Sequence, residues 1–369
     1  MQTETPKPGD RSTTPIRVLV VDDQSFMRIA LRQILEADGD IYVIGEARDG
    51  IEAVKMAREL KPDAVTLDVE MPNMDGLQAC TEILRDASPR PVIIMVSAHT
   101  QAGADAAVKA LRFGAVDFVS KSSGFATTDL AHIDSELRLK VRAWVKPRAL
   151  PQDDFDESRA TDERAGWRPN LIVIGASTGG LQALTLLLAN HAPASMPIVI
   201  AQHMPDFFAA SLAQVLAHDT RQDVQEGSHR LALTPRSVTL IPGAGDGIIA
   251  PCQTGGFELR LVNGSGNLHP SVNALFESAA LVASAPAGIV LTGMGDDGAK
   301  GTAALRRKGV PVLIQAPATC IVAGMPEAAL AAAAGCEVLT IERMAGRIQK
   351  WSGHATGELS SDVARNTRS

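Results

Sequence analysis

In both halves of the chain, apolar runs bounded by turn residues alternate with longer stretches whose apolar positions recur at helical spacing. This is the pattern of parallel α/β sheets. The first half predicts strands at residues 17–21, 41–47, 64–67, 92–96 and 116–119, with helices between them and a last helix ending near Trp144. A second series begins at 171–174 and continues through 198–201, 289–291 and 312–314. Residues 221–261, rich in Gly and Pro, read as β-hairpins inserted into that series. Residues 146–168 carry prolines, the acids Asp153, Asp154, Asp156 and Glu157, and almost no apolar periodicity, which predicts an exposed linker. The expected organisation is a disordered tail over 1–15, a domain over 16–145, the linker over 146–168, a second domain over 169–350 and a polar tail over 351–369. Each domain is expected to be a doubly wound parallel sheet.

Length agrees with that division, because 369 residues exceed the roughly 250 to 300 at which one hydrophobic core stops growing. A formal net charge of -7 disfavours nucleic acid as a partner, since no basic excess is present to neutralise phosphates. Cys80, Cys252, Cys320 and Cys336 lack C-x-x-C spacing, which suits reduced thiols and a cytoplasmic location. No run reaches the ~20 apolar residues of a membrane span, and residues 1–15 are polar rather than a signal peptide. Membrane insertion is not expected.

Chemistry concentrates where strands end. The first predicted strand runs into Asp22 and Asp23 and the third into Asp68, which gathers three carboxylates at one carboxyl edge, where open α/β sheets bind ligands. Mutual repulsion would be relieved by a hard cation such as Mg²⁺. The fourth strand brings Ser97 to the same edge and the fifth brings Lys121. A carboxylate, a metal, a hydroxyl and an ammonium can together hold and transfer a phosphoryl group. Asp22 and Asp23 taken alone would fit helix capping better, by about two to one.

The set of Asp22-Asp23, Asp68, Met71-Pro72-Asn73-Met74-Asp75-Gly76, Ser97 and Lys121 resembles the receiver domain of two-component response regulators, over about residues 16–145. The resemblance implies a flavodoxin-like fold with Asp68 as phosphoacceptor and Mg²⁺ held by Asp22, Asp23, Asp68 and the Glu70 carbonyl. It implies Ser97 and Lys121 on the phosphoryl group, and Phe118 as the aromatic switch. Ser122 departs from the family, where proline commonly follows the lysine.

In the second series, the strand at 171–174 leads into Gly175-Ala176-Ser177-Thr178-Gly179-Gly180 and then a helix. G-x-S-x-G suits a nucleophile elbow, although a glycine-rich strand-to-helix turn also fits a dinucleotide loop. A dinucleotide site expects an acid at the end of the next strand, whereas here that strand ends in Gln202-His203. Imidazole is the usual base for activating a serine, and its orienting acid would be Asp296 or Asp297, in the loop after the strand at 289–291. The order Ser, His, Asp differs from that of α/β-hydrolases.

Ile174 to Gly180, Ala201-Gln202-His203-Met204-Pro205, Leu291 to Ala299, Gln315 and Gly324-Met325-Pro326 resemble the CheB-type protein-glutamate methylesterase domain of bacterial chemotaxis, over about 169–350. The implied fold is Rossmann-like with inserted β-hairpins. Ser177 is then the nucleophile, His203 the base and Asp297 the orienting acid. The Met294 N–H is implied as an oxyanion donor, and the Thr178 N–H is a second candidate on elbow geometry. The resemblance further implies hydrolysis of glutamate γ-methyl esters on chemoreceptors, deamidation of receptor glutamines, and activation by phosphorylation from a chemotaxis histidine kinase. It implies a monomer and no cofactor for the ester step. Asn273 and the segment 242–251 depart from the family pattern. The competing expectation is a receiver-controlled binding module of a non-flagellar chemosensory pathway.

Overall fold

The computed structural model describes residues 15–98, 100–121, 127–145, 167–205, 207–264 and 268–353. Residues 1–14 and 354–369 of the expected tails, most of the expected linker and Ser122 lie outside the described residues, whereas Trp351, expected to open the polar tail, is buried as the last residue of a helix over Ile341–Trp351, because its apolar ring packs inward. Two compact units are formed, one around a five-stranded sheet and one around a seven-stranded sheet.

The five-stranded sheet is built from β1 (Ile16–Val21), β2 (Ile41–Ala47), β3 (Ala64–Asp68), β4 (Val92–Ala98) and β5 (Asp117–Lys121). Helices α1 (Ser25–Glu36), α2 (Gly50–Leu60), α3 (Gly76–Asp86) and α4 (Gln101–Arg112) connect them, and α5 (Thr127–Val145) follows. All pairings are parallel, in the order β2-β1-β3-β4-β5. Val18, Val20, Ile94 and Val119 are fully buried with Leu31 and Leu35 of α1 and Leu137 and Val141 of α5, so these strands read as apolar runs rather than alternations. Asp49 and Asp75 cap α2 and α3 by accepting the N–H groups of Glu52 and Gln78.

In the second unit, β6 (Leu171–Ala176), α6 (Gly180–Ala189), β7 (Ile198–Gln202) and α7 (Phe208–Thr220) come first. Next are β8 (Asp223–Glu226), β9 (Leu231–Leu233), β10 (Ser237–Leu240), β11 (Asp246–Pro251) and β12 (Phe257–Val262). The chain continues through α8 (Val272–Val282), β13 (Pro286–Val290), α9 (Ala299–Arg307) and β14 (Val312–Gln315), then α10 (Gly324–Ala332), β15 (Glu337–Leu339) and α11 (Ile341–Trp351). The main sheet runs β15-β14-β13-β6-β7-β10-β8, and its pairings are parallel.

The hairpin region predicted at 221–261 is present as the antiparallel sheet β11-β12-β9. It does more than the pattern predicts, because β8 and β10 leave it and extend the parallel sheet beyond β7. Each is only four residues long, too short for an apolar run to distinguish a sheet strand from a hairpin arm. Strand β13 starts at Pro286, earlier than predicted, since Pro286-Ala287-Gly288 offers no long apolar side chain. No helix among the described residues is long and apolar enough to cross a membrane.

Both sheets contain a point where successive strands are added on opposite sides, the kind of place at which open α/β sheets bind ligands at their carboxyl edge. In the first sheet that point lies between β1 and β3, and in the second between β6 and β13. The candidate residues stand at these two places.

Candidate functional site

At the end of β6 the chain turns through Ser177-Thr178-Gly179 into α6, with Gly179 at φ +76°, a conformation that costs glycine little and other residues much more. The turn is tied down from β13: Ser177 N–H donates to the Thr292 carbonyl at 3.0 Å, and Thr292 Oγ1 lies 3.0 Å from the Thr178 carbonyl. Thr292 N–H in turn donates to Gln315 Oε1 at 2.8 Å. The neighbouring strand ends therefore hold the backbone of the serine turn.

His203 follows β7 and starts beside that turn, its N–H donating to the Ala176 carbonyl at 3.0 Å. Its Nε2 stands 2.8 Å from Asp297 Oδ2. The same carboxylate accepts the N–H groups of Val272 at 2.7 Å, Asn273 at 2.9 Å and Gly298 at 2.9 Å, so it sits on the N-terminus of α8. Burial pushes the Asp297 carboxyl up, but the His203 hydrogen bond and charge, with the α8 N–H groups, hold it below the usual carboxylate range. An ionised carboxylate only accepts, so the nitrogen facing it carries a proton. The other nitrogen, His203 Nδ1, is buried without a partner among the described residues. Asp296, the neighbouring acid, has an exposed side chain.

Ser177 is half-buried and makes no side-chain hydrogen bond to a described residue, including His203. The structure thus brings His203 and Asp297 into direct contact, while the Ser177 hydroxyl has no partner among the described residues. Catalytic hydrogen bonds often tighten only when substrate is bound. No described residue accepts from the backbone N–H of Thr178 or Met294, whereas Ser177 N–H is already used.

At the corresponding place in the first sheet, Asp22, Asp23 and Asp68 each offer an oxygen, and these oxygens all lie within 4.8 Å of one another. Lys121 Nζ is 2.7 Å from Asp68 Oδ2 and 2.8 Å from Asp22 Oδ2. Burial, opposed by Lys121 and reinforced by Asp22, raises the Asp68 carboxyl to about 6. Ser97 is fully buried on β4, and Glu70, two residues past β3, has an exposed side chain. Three clustered carboxylates, one of them exposed and two buried, suit a hard divalent cation that keeps several waters. Phe118 on β5 is half-buried, with Lys140 Nζ 5.3 Å from its ring centroid.

Two known families match separate parts of the chain. Residues 172–348 match the CheB methylesterase domain family, and residues 18–131 match the response regulator receiver domain family. The protein-glutamate methylesterase/protein-glutamine glutaminase 1 of Caulobacter vibrioides is 41% identical over 322 residues, covering 85% of this chain and 91% of that protein. A Thermotoga maritima protein-glutamate methylesterase/protein-glutamine glutaminase is 38% identical over 325 residues, covering 85% of this chain and 92% of its own.

The chain belongs to the CheB methylesterase family.

Within this CheB-family chain, three supports were not assigned from the sequence. Lys140 of α5 is buried, yet it stays charged because Asp117 and Glu136, at 2.9 and 2.8 Å, outweigh its desolvation and raise its pKa. It also donates to the Phe118 carbonyl at 2.6 Å, so α5 grips the residue expected to switch. The N-terminus of α8 holds Asp297, as described above. Gln202 is the third: its Nε2 donates at 3.0 Å to the carbonyls of both Ser177 and His203. One amide thereby sets the spacing of two strand ends. Gln202 stands in the motif Ala201-Gln202-His203, but only the folded sheet shows where its amide points. Gln202→Leu should lower the rate of ester hydrolysis about 10- to 100-fold at unchanged helix content, because small displacements of reacting groups cost that much. Steady-state kinetics with circular dichroism on the same samples checks this.

Proposed function

We propose that this CheB-family chain is a phosphorylation-activated protein-glutamate methylesterase and protein-glutamine glutaminase acting on chemoreceptors in the cytoplasm. The receiver spans 16–145 and the esterase 169–350, joined by a linker over 146–168. The observation that carries the reading is the His203–Asp297 pair, with one imidazole nitrogen on the acid, the other buried without a partner among the described residues, and the His203 backbone N–H bonded to the Ala176 carbonyl just before Ser177.

That arrangement supports a definite proton path. Ser177 Oγ attacks the γ-carbonyl carbon of a glutamyl methyl ester while its proton passes to His203 Nδ1. Asp297 stabilises the resulting imidazolium through Nε2. The N–H groups of Thr178 and Met294 receive the charge that develops on the carbonyl oxygen. Collapse of the tetrahedral intermediate breaks the bond to methoxide, which takes the proton from His203 and leaves as methanol. Water then attacks the acyl-enzyme by the reverse proton path and frees the glutamate. With a glutamine side chain the leaving group is ammonia.

In the receiver, Asp68 is the phosphoryl acceptor, donated to by a chemotaxis histidine kinase. Asp22, Asp23 and Asp68, with the Glu70 carbonyl, would hold Mg²⁺, which supplies charge neutralisation for the incoming phosphoryl group. Ser97 and Lys121 bind its oxygens, and Phe118 carries the change outward.

Methanol release from methylated receptor membranes tests the whole reading. Release is expected to rise severalfold when a small phosphodonor and Mg²⁺ are both present, and to stay basal with either alone. A protein that releases no methanol under any of these conditions would not be a methylesterase.

A further inference from the structure

We propose that Asp246 and His269 are a pair of positioning residues for the esterase reaction, holding the His203 loop and the Asp297-binding end of α8 in register. The inference rests on the reading of Ser177, His203 and Asp297 given above. Neither residue touches the serine or the reacting atoms, so neither is catalytic.

The connections run in both directions from the pair. His269 Nδ1 stands 2.9 Å from Asp246 Oδ1. The same oxygen accepts the N–H of Ser271 at 2.8 Å, and Ser271 is the N-cap of α8. Ser271 Oγ lies 3.3 Å from Asp297 Oδ1, and the next two N–H groups, of Val272 and Asn273, donate to Asp297. Asp246 and Asp297 therefore hold successive backbone groups of one helix end. Towards the base, the His269 carbonyl accepts the N–H of Met204 at 3.1 Å, and Met204 adjoins His203. The loop from β10 to β11 closes the same side, since Gly243 lies so near the Met204 and Pro205 carbonyls that a side chain there would collide with them.

Burial gives the pair its leverage. The Asp246 side chain is 11% exposed and His269 24%, so little water is available to replace a lost partner. Removing the imidazole leaves a buried carboxylate with one donor fewer, and the helix end and the loop are free to drift apart. A shift of about 1 Å between His203 and Asp297 would open their hydrogen bond and misalign Nδ1 for the serine. Segment 242–251, which departs from the family pattern, thereby acts on the alignment of the base and its acid.

The test uses the full-length protein and methylated receptor membranes as substrate, with Ser177→Ala in the same series. His269→Ala and Asp246→Ala should each lower kcat about 10- to 100-fold with KM changed less than about twofold. His269→Asn should recover most of that loss, because its amide nitrogen takes the place of Nδ1 as donor to Asp246. A double variant, Asp246→Ala with His269→Ala, should lose no more than either single one, as expected for residues acting as one unit. Unchanged kcat in His269→Ala, or an equal loss in the Asn and Ala variants at equal folded content, would overturn the proposal. Should His269→Ala not fold, His269→Asn decides alone: near-normal kcat supports the donor role, and a loss above about tenfold contradicts it. If Ser177→Ala itself retains full release, the failure lies in the underlying assignment rather than in the buttress.

Discussion

Ser177→Ala will reduce methanol release from methylated receptors by roughly 10⁴- to 10⁶-fold, leaving only the acceleration that carbonyl polarisation and binding supply on their own. The loss is large because the nucleophile is removed while everything that prepares it stays in place. The turn is held through backbone groups, Ser177 N–H to Thr292 and Gln202 Nε2 to the Ser177 carbonyl, so the hydroxyl contributes nothing to its geometry. Stability should therefore change little, and thermal unfolding within a few degrees of the parent would show that the variant is folded. Cysteine at this position should leave a small residual rate, since a thiolate can attack but sits on a longer bond. Release from Ser177→Ala at a rate comparable to the parent would remove this serine as nucleophile.

Asp68→Asn is expected to abolish both phosphoryl incorporation and the response to phosphodonor, while leaving basal ester hydrolysis within about twofold. The amide keeps the shape of the carboxyl but provides no nucleophilic oxygen. Acid-labile phosphate on the purified protein, counted after exposure to a small phosphodonor and Mg²⁺, measures the first effect. Asp68 also gives the pocket a pH dependence. Its folded pKa, about 6, lies above that of an unfolded aspartate because burial and Asp22 disfavour the second charge more than Lys121 favours it. The contribution of this group to stability is therefore present below the unfolded value and lost as pH rises through about 6. A metal must displace the same proton, so Mg²⁺ affinity should fall as pH drops through that value, with protons released on binding. Mg²⁺ binding of equal strength at pH 5 and pH 7.5 would contradict it.

Much of both sites could be read along the chain because their residues cluster at strand ends, and apolar runs that end in an acid, a histidine or a glycine turn are visible in a linear sequence. Asp22-Asp23, Asp68, Lys121, Ser177 and His203 all belong to this class. The choice between Asp296 and Asp297 does not, when judged from the residues alone. Both follow β13, and only the position of the α8 N-terminus decides which carboxylate meets His203. Gln202 and Lys140 were illegible for a similar reason. A polar side chain at a strand or helix position says nothing about its direction until neighbouring elements close over it, and both prove to hold backbone carbonyls of candidate site residues. Strands β8 and β10 could not be separated from the hairpins because four residues carry too little periodicity.

By itself, the sequence determined the parallel α/β class, the two series of strands and the kinds of chemistry available where those strands stop, because each depends on residues within a few positions of one another. Tertiary structure alone decided which acid partners His203, which imidazole nitrogen stays without a partner among the described residues, and that Asp246 pairs with His269 beside them. Those contacts join residues 23 to 94 positions apart, and they exist only after sheet order and the packing of α8 have brought separate strand ends to a single edge.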